Sequence, residues 1–217
     1  MEAVFVKGVT FGEKHSYNDF SLLLVKVELG APQAKVNKID VEGADGSLDL
    51  TDYFGSTKYE NVVHKFDFVT IAPPSTFTTI FSTIKNHLHG KKMRIVLDDD
   101  PSIYYIGRLS VSSFTSDRGI GHITIEADCE PYKYKKDKTV VKQTINGIGI
   151  VLLKNSRKRA VPTITTTAAM TIRFNDTTWG VSAGTFVIPE LELFEYSNTI
   201  EVSGTGTITF EWQEGEL

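Results

Sequence analysis

Short runs of β-branched and aromatic residues, each closed by Gly, Pro, Asn or Asp, make up most of this 217-residue chain. Such runs are typical of β-strands, and the residues that close them are typical of turns. Alternation is clearest in 121–130, where Ile123, Ile125, Ala127 and Cys129 share one face. The sequence therefore predicts a mainly β fold. The predicted strands are 3–11, 20–29, 61–71, 93–97, 103–111, 121–130, 163–174, 184–194 and 198–212.

One stretch, 73–92, has helical periodicity instead. Its apolar residues recur every three or four positions and form one stripe of a helix: Phe77, Ile80, Phe81, Ile84 and Leu88. Two prolines precede the stripe, Ser75 or Thr76 can cap its start, and Gly90 follows its end. We therefore expect one α-helix packed on the sheet of an N-terminal domain.

The composition changes after Tyr134, where a basic and polar segment, 132–143, leads into a Thr-rich region with Gly-rich turns. Helical periodicity does not return beyond this segment. The sequence thus predicts two domains, 1–135 and 136–217, the second of which is a small all-β sandwich or jelly-roll-like domain.

Composition excludes several classes of function. A net charge of −4 argues against a dedicated nucleic-acid binder. Apolar runs fall short of the roughly 20 residues that span a bilayer, and the first residues do not resemble a secretory signal. We therefore expect a protein that folds in a cytoplasm and does not bind a membrane. The one cysteine, Cys129, cannot form an internal disulfide or build a zinc site alone, and its strand position predicts a core residue.

Two patterns resemble chemical sites, and each has a simpler interpretation. The segment 180–184 matches Gly-x-Ser-x-Gly around Ser182, but every histidine precedes it in the chain, so a turn between strands is favoured. The acidic run 98–100 either binds a metal or forms a turn before Pro101. The turn is favoured because Asp and Pro form turns, and because adjacent side chains of an extended chain point in opposite directions.

Other patterns are incomplete as sites. His87 and His89 lie on different faces of the predicted helix and complete no metal-ligand set. The segment 40–54 has the wrong residues for a calcium loop and instead predicts an Asp-Gly hairpin. The basic segment 154–162 is typical of a solvated loop. We predict no catalytic, cofactor-binding or metal-binding residues.

Aromatic residues of the second domain allow two interpretations, a hydrophobic core or a platform for sugars. They are Phe174, Trp179, Phe186, Phe194, Phe210 and Trp212. The core is favoured because aromatic residues dominate the interiors of small β-domains. The alternative is a carbohydrate-binding module on the C-terminal sandwich, with Trp179 as the possible glycan contact.

The order of several motifs resembles the phage distal tail proteins (Dit), the siphophage tail component family. The matching segments are VTFGEKHSYNDFSLLL (9–24), VEGADGSLDLTDYFG (41–55), YENVVHKFDF (59–68), LHGKKMRIVLDDDPSIYYIGRLS (88–110), DCEPYKYK (128–135) and NTIEVSG (198–204). Each motif is short, but five occur in the family's order over the first 135 residues, and the sixth matches a strand of its C-terminal domain.

This resemblance implies a structural protein rather than an enzyme. It implies an N-terminal β-sandwich-like domain with one α-helix and a projecting hairpin, followed by a small galectin-like β-sandwich. Family members form hexameric rings at the virion tail tip, after assembly in the bacterial cytoplasm. The implied partners are the tail tube protein and a tail-associated lysin, tail fibre or receptor-binding protein, and no cofactor is implied.

A closed ring needs two different contact patches on each subunit. We expect the hairpin arm at 40–62 to supply one, since its tip is polar and its stems carry large apolar residues. The predicted interface residues are Val41, Leu48, Leu50, Tyr53, Phe54 and Tyr59. The alternative is that this hairpin packs on the sheet of its own domain.

Overall fold

The computed structural model describes residues 7–53, 55–70 and 72–217. The chain divides into two compact units, the first ending at Pro131 and the second starting at Tyr132. The division predicted from the sequence lies after Lys135. Both units consist mainly of β-strands, so the predicted fold class is confirmed. Among the described residues, no helix is long and apolar enough to cross a membrane.

The first unit contains an antiparallel sheet with strand order β2-β1-β7-β8-β9-β6-β3. Its elements are β1 (Val9–Phe11), β2 (Lys14–His15), α1 (Ser16–Phe20), β3 (Leu22–Leu29), β4 (Lys38–Asp40), β5 (Ser47–Asp49), β6 (Val62–Thr70), a 3-10 turn (Pro74–Thr76), α2 (Phe77–Leu88), β7 (Lys92–Leu97), β8 (Ile103–Asp117) and β9 (Ile120–Cys129). Of the predicted strand 3–11, residues 3–6 lie outside the described part of the chain.

Period-two alternation forms the core of this unit. Along β6, alternate residues are buried, and Phe66 and Phe68 pack with Phe11 in edge-to-face contacts. Helix α2 supplies Ile84 and Leu88 to the same core. The apolar stripe predicted from the sequence therefore faces the sheet.

The helix boundaries differ slightly from the predicted signals. Helix α2 follows a 3-10 turn, and the Thr76 side chain makes no capping hydrogen bond to it. Gly90 has φ +78°, the left-handed conformation that glycine favours after a helix. The single-turn helix α1 was not predicted, because one turn is too short to show helical periodicity.

Strands β4 and β5 form a two-stranded hairpin separate from the large sheet. The stem continues toward the sheet, where Lys35 N–H donates to the Lys58 carbonyl and Glu60 N–H donates to the Gln33 carbonyl, both at 2.8 Å. We call residues 33–60 the arm. All residues of β4 and β5 are exposed, so the arm projects from its unit, as predicted.

The second unit is built around two 17-residue strands that pair over their whole length. Its strands are β10 (Lys133–Lys135), β11 (Thr139–Asn155), β12 (Thr163–Thr166), β13 (Met170–Phe174), β14 (Thr177–Val181), β15 (Gly184–Val187), β16 (Tyr196–Trp212) and β17 (Gly215–Glu216). The first part of β16 pairs with β13 and the last part pairs with β12, so the sheet curls around a second core.

Glycines permit this change of partner within β16. Gly204 and Gly206 have φ +138° and +153°. A Cβ atom on Gly206 would lie 2.8 Å from Thr167 Oγ1, and one on Gly204 would lie 3.0 Å from the Ala169 carbonyl oxygen. A larger residue at either position would collide with the 167–169 segment, which is why the strand contains glycine there.

Candidate interaction surfaces

The three consecutive aspartates form the turn between β7 and β8, as predicted, and each carboxylate has a different partner. Asp98 accepts a hydrogen bond from Gly8 N–H at 2.8 Å. Asp99 pairs with Lys7, and Asp100 accepts from Ser102. Within the described ranges, no group of three or more potential metal ligands comes together.

His15 lies beside Asp98, and both nitrogens of its ring make hydrogen bonds within the fold. The His15 Nδ1 atom accepts from the N–H groups of Tyr17 and Asn18, so the proton is on Nε2, which points at Asp98 Oδ2. Ser16 is fully buried, and its Oγ accepts from Val9 N–H at 3.1 Å. Both imidazole nitrogens are therefore occupied by contacts that hold α1 in place.

The predicted turn around Ser182 lies between β14 and β15. The Ser182 carbonyl accepts from Thr166 Oγ1 at 3.0 Å. The helix-end histidines also have structural contacts. His89 Nδ1 accepts from Val111 N–H at 3.1 Å, and the His87 ring lies 5.6 Å from the ring of Phe20.

Cys129 is a fully buried core residue, as predicted, and burial raises the pKa of its thiol to about 12. It packs against Gly107 of the neighbouring strand, where an added Cβ would lie 2.5 Å from the sulfur. This thiol stays protonated and unreactive at neutral pH.

The two arginines of the basic segment 154–162 form ion pairs within their own unit. Arg157 pairs with Glu195 at 2.8 Å, and Arg159 pairs with Glu192 at 2.7 Å. Lys158 lies over the ring of Tyr134, with its Nζ atom 5.2 Å from the ring centroid. Three of the four basic residues therefore contact groups within the second unit.

A buried carboxylate that the sequence analysis missed holds the second unit together. Glu214 accepts hydrogen bonds from Lys135, Thr139 and Ser156. Burial raises the pKa of this carboxyl, but the three donors outweigh burial and hold the pKa below its usual value. No local pattern identifies Glu214, because its donors are 58 to 79 residues away along the chain.

The aromatic residues of the second unit mostly form its core. Phe174, Phe210 and Trp212 are buried, and Trp212 Nε1 donates to Asn155 at 3.1 Å. Trp179 is half-buried and packs against this core. Its contact with a glycan stays a prediction.

The arm carries most of the predicted interface residues, and its apolar side chains are exposed. Ile39 and Leu48 oppose each other across the hairpin with exposed fractions of 48% and 54%. Val41 and Tyr53 are exposed, and Leu50 is half-buried. The hairpin itself therefore has an apolar face that it does not cover.

The two remaining interface candidates differ in position. Tyr59 is half-buried at the base of the arm, in a bridge with Ala34. Phe54 lies outside the described residues. Neither the arm nor these positions has a tested partner, so the interface assignment stays a prediction.

Comparison with known proteins supports the fold rather than a sequence family. No protein-family model and no curated protein sequence matches the chain. Among solved structures, the crystal structure of Dit from phage SPP1 matches with a TM-score of 0.73. The match covers 98% of this chain and 100% of that chain at 16% identity. This chain has the Dit fold.

Several motifs that carried the resemblance form contacts that hold the Dit fold together. The opening motif contributes His15, which contacts Asp98 of a later motif. Gly107 and Cys129, again from two separate motifs, touch across β8 and β9. In the last motif, Asn198 is buried and exchanges hydrogen bonds with the Phe194 backbone. Residues from separate motifs therefore make contacts that stabilise the two units.

The second unit of this Dit fold has an exposed apolar stripe on β11 that the sequence analysis did not identify. Ile148, Ile150 and Leu152 alternate on the outer face of this strand, and all three are more than half exposed. The structure shows why they face outward: Ile145, Val151 and Leu153 of the same strand are buried, and residues at intervening positions of a strand lie on its opposite face.

Proposed function

We propose that this protein is a structural, non-enzymatic component of a bacteriophage or prophage tail tip. It assembles as a hexameric ring that acts as a hub between the tail tube protein and the baseplate. A tail-associated lysin, tail fibre or receptor-binding protein docks on this ring. The protein reaches the virion tail tip after assembly in the bacterial cytoplasm.

The full-length similarity to SPP1 Dit carries this proposal. SPP1 Dit is described as a paradigm of the hub adsorption apparatus in phages that infect Gram-positive bacteria. The similarity extends through both units of the present chain. It supports a shared role in a tail more strongly than a match to one common β-domain would.

The projecting arm supports assembly into a ring. A closed ring needs a surface on each subunit that meets a different surface of the next subunit. An exposed apolar hairpin such as Ile39 with Leu48 is suited to such a contact, because burying it removes apolar surface from water.

The contacts of the polar side chains support a non-enzymatic role. His15, Ser16 and Asp98 hold α1, and Glu214 holds strands of the second unit. Their hydrogen-bonding atoms are committed to contacts within the fold. A catalytic group must instead reach a substrate.

Light scattering and electron microscopy of the purified full-length chain test this proposal. We expect a mass about six times that of the 24.1 kDa chain, and rings in negative stain. A single 24.1 kDa species at millimolar concentration would contradict the ring. Co-purification with the tail tube protein encoded by the same genome tests the position in the tail.

A further inference from the structure

The tip of the arm carries exposed apolar side chains together with several exposed carboxylates. Residues 40–52, which we call the tip, contain five carboxylates and no basic residue, whereas the whole chain has a net charge of −4. The rest of the chain is therefore close to neutral. The tip carboxylates are Asp40, Glu42, Asp45, Asp49 and Asp52, and all of them are exposed.

The contacts of these carboxylates leave most of their charge uncompensated, although Lys38 lies opposite Asp49 across the hairpin. Hydrogen bonds from Thr51, and more weakly the charge of Lys38, hold the pKa of Asp49 below its usual value. Asp40 accepts from Ser47, Asp49 accepts from the Thr51 backbone, and Asp52 accepts from Thr57. These donors are neutral. In the described part of the chain, no tip carboxylate forms an ion pair, so a partner that covers the tip must bring positive charge.

The end of α2 has the complementary charge. Lys85, Lys91 and Arg108 are exposed there, and none of them forms an ion pair with any described residue. Lys91 and Arg108 are neighbours, because Leu109 N–H donates to the Lys91 carbonyl and the Arg108 guanidinium donates to the Gly90 carbonyl at 2.6 Å. Lys85 lies in the last turn of α2, which leads into this segment. We call these three residues the exit patch.

An aromatic pair adjoins the exit patch. Phe81 lies one helical turn before Lys85 on the same face of α2, and its ring stacks on Phe114 at 5.1 Å. Both rings are half-buried. The region therefore offers apolar surface beside positive charge, and the tip offers apolar surface beside negative charge.

We propose that the tip of one copy docks on the exit patch of the next copy. This inference rests on the proposed ring and names the two surfaces that each ring contact joins. The two surfaces differ, as a heterologous ring contact requires. Apolar residues such as Leu48 and Val41 are buried against the aromatic pair, while the carboxylates face Lys85, Lys91 and Arg108.

Charge reversal tests the pairing. The tip variant is Glu42→Lys with Asp45→Lys, and the patch variant is Lys85→Glu with Lys91→Glu. Each creates like-charge contacts, so we expect each to weaken association at least about 100-fold. A chain with all four substitutions restores opposite charges, and we expect its association within about tenfold of the original. Ring mass is measured by light scattering across concentrations.

A matched control separates local charge from net charge. Lys136→Glu with Lys142→Glu makes the same change in net charge as the patch variant, at exposed lysines of the second unit. We expect this control to leave ring mass unchanged. Circular dichroism melting curves show whether each variant remains folded.

The outcomes distinguish this inference from the proposed function. If the original chain forms rings and charge reversal at either the tip or the exit patch leaves the rings intact, the proposed pairing is wrong, but the proposed ring is supported. If both reversals disrupt the ring and the combined variant does not restore it, tip and patch contact other surfaces and the pairing is again wrong. If the original chain is monomeric, the ring proposal fails, and the pairing fails with it.

Discussion

His15 Nε2 lies 3.0 Å from Asp98 Oδ2 across 83 residues of sequence. The same carboxylate oxygen accepts from Gly8 N–H at 2.8 Å. Because the other nitrogen of His15 caps α1, this one carboxylate connects the first strand, the first helix and the β7–β8 turn. The His15–Asp98 pair thus joins three segments of the first unit.

The adjacent aspartates provide a test of this role. We expect Asp98→Ala to lower the free energy of unfolding by about 1–3 kcal/mol, because it leaves Gly8 N–H and His15 without their acceptor. Asp99→Ala removes an ion pair between two side chains that are both more than half exposed. We expect it to change the free energy of unfolding by less than about 1 kcal/mol. Urea denaturation of the two variants measures the difference. Equal effects would contradict the role given to Asp98.

The close contact between Gly107 and Cys129 predicts coupled mutations. Gly107→Ala adds a Cβ that would lie 2.5 Å from the Cys129 sulfur, so we expect a loss of about 1–3 kcal/mol. Cys129→Ala removes that sulfur. The double variant should therefore lose less than the sum of the two single variants, by about 0.5 kcal/mol or more. Additive losses in a double-mutant cycle would place the strain elsewhere.

His64 predicts a loss of stability in weak acid. It is 2% exposed, its Nδ1 accepts from Gly30 N–H at 3.2 Å, and burial lowers its pKa below the usual 6.5. The unfolded chain therefore binds a proton before the folded chain does. The stabilisation is fully present above pH 6.5 and decreases as the pH falls toward the lowered pKa.

Substitution identifies the His64 contribution to this pH dependence. Between pH 7 and pH 5.5, His64→Leu should show a smaller loss of unfolding free energy than the original chain. His122 is exposed, and His122→Gln should retain the original slope. Urea denaturation at both pH values measures the slopes. An unchanged slope in His64→Leu would show that another group titrates.

The apolar face of the arm predicts a variant that folds but does not assemble. Leu48→Asp places a charge in an exposed hairpin, so the free energy of unfolding should change by no more than about 0.5 kcal/mol. The same charge would be buried in a ring contact, and we expect the ring to dissociate. Val187→Asp, at a similarly exposed valine of the second unit, is the control for light scattering. An intact Leu48→Asp ring would remove Leu48 from the interface.

Much of the local structure was predictable because it depends on short-range rules. Alternating residues predicted β9, the apolar stripe predicted α2, and Asp with Pro predicted the turn at 98–101. The isolated turn of α1 and the long strand β11 were not predicted, whereas β16 matches the predicted strand 198–212. The contact that holds α1 in place and the glycines that let β16 change partners, such as Gly204, have roles that appear only in contact with distant segments.

Some features of the candidate interaction surfaces were also predictable from the sequence, and others were not. The sequence by itself determined the charge of the tip and the hairpin that presents it, because turn chemistry and charge are local properties. Only the tertiary structure decided that Ile39 and Leu48 stay exposed, that Asp98 rather than Asp99 is the structural aspartate, and that Lys91 lies near Arg108. Burial and pairing arise from contacts between residues far apart in the chain, and such contacts leave no periodic pattern in the sequence.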